Sequence, residues 1–163
     1  MKIFSGSSHP KLAKEVAKNL KSDLGKIEIS KFPNGEKRIH ILDEIENETV
    51  FIIQPTISDS DIIELCLLID AAKRQKAKKV ICVTPWFGYS AQDDVFRPGE
   101  PLSAKVVVKI LESLGIDGAI LIDSHSKKVL SFFSVPVIHL SSLEIFTSLF
   151  KKRDLENSVV VAL

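Results

Sequence analysis

Apolar positions along the chain recur with two different periods. Short β-branched or alternating runs fall at 2–4, 26–31, 38–42, 50–54, 79–84, 119–122, 137–139 and 159–162, and each predicts a strand. Between them the spacing lengthens. Leu12, Val16 and Leu20 lie four apart and predict a helix over 11–20, while Ile62, Leu65, Ile69 and Ala72 share one face of a helix over 62–73. A third helix is predicted over 104–114, with Ser103 as N-cap and Gly115 as stop, and a shorter one over 143–150. Strands alternating with helices indicate an α/β fold, a mostly parallel sheet flanked by helices. The stretch 26–42 breaks the alternation, because two strand-like runs flank Pro33-Asn34-Gly35, a turn signal, and predict a β-hairpin projecting from the sheet.

Composition narrows the class. The 163 residues are 45% hydrophobic and 26% charged, with 7 Gly and 7 Pro, which excludes a collagen-like or disordered chain. Lys and Arg number 22 against 21 Asp and Glu, a net charge of +1, so no overall field favours nucleic acid or an anionic membrane. Any anion site must be local. Cys66 and Cys82 sit inside apolar runs and read as buried reduced thiols. The N-terminus has no apolar signal core and no run is long enough for a membrane helix, so a cytoplasmic location is expected. Asp154-Leu155-Glu156-Asn157 reads as a turn, and the strand that follows it reads as the opening of a further unit. The expected organisation is a domain over 1–157 and the first strand of a second domain over 158–163.

Ligands of open α/β sheets bind outside the carboxyl ends of the strands, so the segments after Thr84 and Ile122 carry the candidate chemistry. Pro85-Trp86-Phe87-Gly88-Tyr89-Ser90-Ala91-Gln92-Asp93-Asp94 offers aromatic faces and an amide able to stack and bond a base, or is a polar loop anchored by Trp86 and Phe87. Asp123-Ser124-His125-Ser126 stands where a helix begins, and would meet phosphate oxygens or a divalent ion, or else simply cap the helix. Walker A, G-x-G-x-x-G, G-x-S-x-G and C-x-x-C sequences are all absent. His9, His40 and His139 show no ligand spacing, and the basic run 73–79 reads as a solvated helix end.

Phe32-Pro33-Asn34-Gly35-Glu36, the segment 85–93, Gly99-Glu100-Pro101-Leu102-Ser103-Ala104-Lys105 and Asp123-Ser124-His125-Ser126 together resemble ribose-phosphate diphosphokinase, or phosphoribosyl pyrophosphate synthetase. The resemblance runs through nearly the whole chain. It implies a phosphoribosyltransferase-like domain, the first of two, in an enzyme that moves the diphosphoryl group of ATP to ribose 5-phosphate with Mg²⁺. It further implies that Phe32, Asn34, Gly35 and Glu36 hold adenine from a hairpin that reaches a neighbouring subunit of a homo-oligomer. Gln92 and Asp93 would contact the nucleotide, and His125 would stand at the phosphates and their metal. No catalytic residue is expected here, since the family's ribose-phosphate loop and catalytic lysine belong to the second domain.

Two positions depart from the family pattern. Where it has Tyr-Ala-Arg-Gln-Asp followed by a basic residue, this chain has Tyr89-Ser90-Ala91-Gln92-Asp93-Asp94. A methyl replaces a guanidinium, and Asp94 is expected to oppose a triphosphate. Either an ATP-side domain, inactive alone, or a non-catalytic subunit derived from the family fits this sequence.

Overall fold

Residues 1–153, Ser158, Val159 and Val161 are described by a computed structural model. In chain order the elements are β1 (Lys2–Ser5), α1 (Pro10–Asn19), β2 (Ile27–Lys31), β3 (Lys37–Ile41), β4 (Thr49–Ile53), α2 (Asp59–Arg74) and β5 (Lys79–Thr84). They continue with α3 (Ser103–Ser113), β6 (Gly118–Ile122), α4 (Lys127–Leu130), β7 (Val137–Leu140) and α5 (Leu143–Phe150). The strand expected at 159–162 and the turn before it fall largely outside the described residues; Val159 and Val161 themselves are exposed and lie in no strand.

Five strands pair in the order β1-β4-β5-β6-β7, every pair parallel, with Phe4 beside Ile52, Ile52 beside Cys82 and Leu121 beside Thr84. Strand residues alternate between faces. Phe4, Val50, Ile52, Val80, Cys82 and Leu121 point to one face and meet Leu65, Leu68 and Ile69 of α2 and Val108 and Leu111 of α3, all buried. Each such aliphatic side chain withdrawn from water stabilises the fold by roughly 1.5–3 kcal/mol. The other face is covered beside β1 and β4 by α1, whose small Ala13 and Ala17 let the helix approach Ile3 and Ile53 closely.

The hairpin β2–β3 forms its own two-stranded sheet. It is less free than expected, because Ile27 and Ile39 pack on the main core, Ile41 is buried, and Gln75 Nε2 donates to the Ile41 carbonyl at 2.9 Å. Only its tip projects. There the Phe32 N–H donates to the Glu36 carbonyl and the Gly35 N–H to the Phe32 carbonyl, both at 2.8 Å, with Gly35 at φ 90°.

Two helix starts differ from the sequence reading. α2 begins at Asp59 because Ser58 and Asp61 form a reciprocal capping box, the Ser58 N–H donating to Asp61 at 2.9 Å. Ser103 is not the N-cap of α3. Leu102 holds that position without a side-chain cap, while the Ser103 hydroxyl donates to Gln92 Oε1 at 2.5 Å. Gly115, at φ 87°, follows the end of α3 as expected. Three residues of the basic run are paired: Lys73 reaches Asp117 at 2.7 Å, Arg74 reaches Asp70 at 2.6 Å and Lys76 reaches Glu46 at 3.2 Å. Both cysteines are free thiols; burial pushes the Cys66 thiol up and that of Cys82, wholly buried in β5, further still.

Candidate functional site

All five parallel strands end at one edge of the sheet, and the loops that follow β5 and β6 enclose a cavity of about 240 Å³ there. Trp86, Phe87, Tyr89 and Ala91 line one side, and Asp123 and His125 the other. Gly88 fits only without a side chain: a Cβ would stand 2.2 Å from the Thr56 carbonyl oxygen, and its N–H donates to Thr56 Oγ1 at 2.8 Å. Close backbone approach thus seats the aromatic loop on the segment after β4. Beneath the rim, Gln54 and Thr84 follow each other across β4 and β5, and Gln54 Nε2 and Thr84 Oγ1 are buried without a hydrogen-bond partner among the described residues.

Hydrogen bonds fix the two walls. Tyr89, at φ 63°, donates its hydroxyl to Asp59 at 2.6 Å, and that acceptor holds the phenol above its ordinary pKa. Asp123, at φ 43°, accepts from the Ser142 N–H and the Ser141 hydroxyl at 3.1 Å each. Bonding to Ser142 keeps its carboxyl below the usual range. The Ser124 N–H donates to His139 Nε2 at 3.1 Å, which brings to the rim a histidine that sequence spacing had left unassigned.

The two loops are also pinned to each other. Ser126 is the N-cap residue of α4, yet its hydroxyl donates to the Asp93 carboxylate instead of capping the helix. Lys128 Nζ lies 2.6 Å from Asp94 Oδ2, and this ammonium, with the Val95 N–H, lowers the Asp94 pKa. Asp94, expected from the sequence to oppose a triphosphate, is paired here with a lysine 34 positions along the chain. Asp93 and His125 are brought together through Ser126, whereas Gln92 is turned to α3 through Ser103.

The hairpin residues stand apart from this group. Among the described residues Phe32, Asn34, Gly35 and Glu36 make hydrogen bonds only among themselves, the Glu36 N–H donating to Asn34 Oδ1 at 3.2 Å, and the Arg38 guanidinium lies 6.0 Å from the Phe32 ring centre. Within one chain, no hydrogen bond joins the tip to the cavity among the described residues. No cluster of three or more His, Cys, Asp or Glu side chains is arranged to hold a metal among them either, so His125 would be a single ligand to an ion held mainly by other groups. No described helix is long and apolar enough to cross a membrane.

Residues 1–115 match the family model described as the N-terminal domain of ribose phosphate pyrophosphokinase. The ribose-phosphate pyrophosphokinase of Oceanobacillus iheyensis is 36% identical over 164 residues, covering 99% of this chain and 52% of that protein. Those of Bacillus caldolyticus and Helicobacter pylori are 38% and 37% identical, again over 99% of this chain and about half of theirs. The crystal structure of phosphoribosylpyrophosphate synthetase from Mycobacterium smegmatis superposes with a TM-score of 0.87 at 29% identity, covering 93% of this chain and 52% of that one. The chain spans about half the length of the relatives it matches.

Proposed function

The chain belongs to the ribose-phosphate pyrophosphokinase family, and from that premise we propose that it supplies the ATP side of diphosphoryl transfer from ATP to ribose 5-phosphate in nucleotide biosynthesis. One observation carries the reading: the family match coincides with a formed cavity at the strand ends, between an aromatic loop and the Asp123–Ser124–His125 segment, with the two loops tied by the Ser126–Asp93 hydrogen bond. Phe32, Asn34, Gly35 and Glu36 would hold adenine, with the site completed by the hairpin of a second copy in a homo-oligomer. That assignment is supported by the exposed tip, which turns to no group of its own cavity, and by exposed Ile63, Val106 and Ile110 on α2 and α3, available to a subunit contact. Residues 158–163 would lead into a second domain holding the ribose-phosphate site.

Transfer of this kind depends on positioning the β-phosphorus in line with the sugar hydroxyl and neutralising charge on the bridging oxygens. Mg²⁺ carried by the nucleotide phosphates would supply most of that neutralisation. On this chain, Asp93 and Ser126 fix the wall beside His125, whose imidazole meets a phosphate oxygen or the ion, and Gln92 Nε2 is left to the nucleotide. Ala91 provides no cation, and Lys128 is engaged by Asp94. ATP should therefore bind little better than AMP.

Calorimetry in Mg²⁺ buffer tests this. The Ala91→Arg variant should gain ATP over AMP by about 1.5–3 kcal/mol, one charge-assisted bond. Asp94→Ala, which releases Lys128, should move the same way by less. Equal gains for ATP and AMP, or tight ATP binding by the native chain, would rule out these positions as the weak phosphate contacts. A second reading, a non-catalytic subunit of such an assembly, is favoured by the Ala91 methyl itself. Under either reading the 163-residue chain alone is expected to form no AMP from ATP and ribose 5-phosphate, and an assay for AMP that depends on both substrates checks it.

A further inference from the structure

A buried carboxylate connects the hairpin to the strand-end rim. Glu64, on α2, is fully buried, and its oxygens accept from the Ser7 N–H at 2.5 Å, the Ser7 hydroxyl at 2.6 Å and the Lys37 ammonium. Ser7 lies in the loop after β1, next to Gly6, where a Cβ would stand 2.0 Å from Gln54 Oε1 and 3.0 Å from Glu64 Oε1. Backbone, amide and carboxylate are therefore pressed together at the end of the sheet. Lys37 begins β3, directly after Glu36, and pairs with Lys31 to close the tip loop. Its side chain is only 12% exposed.

The two ends of the hairpin are held by different physics. At the base, Ile41 is buried and its carbonyl is bonded by Gln75. At the tip, the ion pair to Glu64 is the one side-chain hydrogen bond from residues 31–38 to the body of the fold among the described residues. A paired buried charge fixes direction in a way that apolar contact does not, because displacement leaves a carboxylate unpaired in low dielectric.

We propose that Glu64 is a positioning residue for the nucleotide-recognising tip: through Lys37 it locks 32–36 to the loop after β1, so that the two segments move as one unit. The proposal rests on the adenine reading of the tip given above, but its mechanical part is measurable without nucleotide. Lys37→Met leaves Glu64 buried and unpaired and risks unfolding, so the main variant is the neutral pair Lys37→Met with Glu64→Gln. Hydrogen exchange should then be on the order of tenfold faster at the Phe32 and Gly35 amides, with β4 and β5 protected as before. AMP affinity should fall several-fold in the same variant. Unchanged tip exchange in a folded double variant would overturn the proposal, and so would acceleration spread equally over β4 and β5, which is the mark of a merely structural role. If the native chain binds no AMP while the tip alone loosens, the adenine reading fails and the Glu64 tie stands.

Discussion

The two faces of the sheet are finished to different degrees. On the face under α2, α3 and the hairpin, every inward residue of β4 and β5 is buried, and even Gln54, Thr84 and Glu64 are sealed from water. On the other, burial fades across the strands: Ile3 and Ile53 are buried under α1, Phe51, Val83, Ile120 and Ile122 are half-buried, and Ile138 and Leu140 are exposed. An apolar groove of about 260 Å³ runs along it from Leu12 and Val16 to Ile122 and Leu140. Parallel sheets are normally covered on both sides. α5 makes the same point, since Leu143, Ile145, Phe146, Leu149 and Phe150 are all exposed. The first face holds most of the buried core of the fold, while the second leaves apolar side chains exposed.

Leu68→Ala, on the finished side, should cost about 3 kcal/mol or more in denaturant unfolding, whereas Ile120→Ala on the open side should cost about 1 kcal/mol. Equal losses would mean that the open face is covered in solution. Sedimentation sharpens that point: if the groove is a contact between copies, Ile122→Ser should lower the sedimentation coefficient at high concentration, and an unchanged coefficient excludes it. Ser58→Ala removes the cap of the helix that seals the first face and should cost about 1 kcal/mol, with no change in association.

The smallest effect lies at the opposite edge of the same face. Burial raises the Asp117 pKa, but hydrogen bonds from Lys73 and the Val80 N–H outweigh it, leaving the carboxyl below its ordinary value. A lowered folded pKa stabilises the fold above the unfolded value and ceases to do so as pH falls through the folded one. Asp117→Asn should therefore lower the melting temperature at neutral pH, and the gap from the native chain should narrow in acid.

Periodicity made most of the frame legible, because alternating strands and four-spaced helices follow from local burial alone. The hairpin was readable from Pro33-Asn34-Gly35 for the same reason, a turn written into adjacent residues. What escaped was long-range. Glu64 among apolar neighbours reads as a solvated helix position, and only Lys37 and Ser7, brought in by the fold, explain its burial. His139 reaches the rim only through its place beside Leu121 in the β6–β7 register. Asp94 looked like an uncompensated charge because its partner, Lys128, is carried on α4, far along the chain. The start of α2 had a local signal in Ser58-x-x-Asp61, visible in the chain as a capping box with Asp in place of the commoner Glu.

Tyr89 and Asp123 hold left-handed backbone on opposite walls of the cavity, each anchored by a hydrogen bond outside it. Such conformations persist only where the surroundings over-determine them. Ordering one residue costs roughly 1–2 kcal/mol of conformational entropy, and at these walls folding has already spent it. A ligand entering this cavity would lose only its own freedom, so that a few polar contacts would suffice to hold it. At the hairpin tip the same ordering rests on fewer contacts, the turn's own hydrogen bonds and the single tie from Lys37 to Glu64.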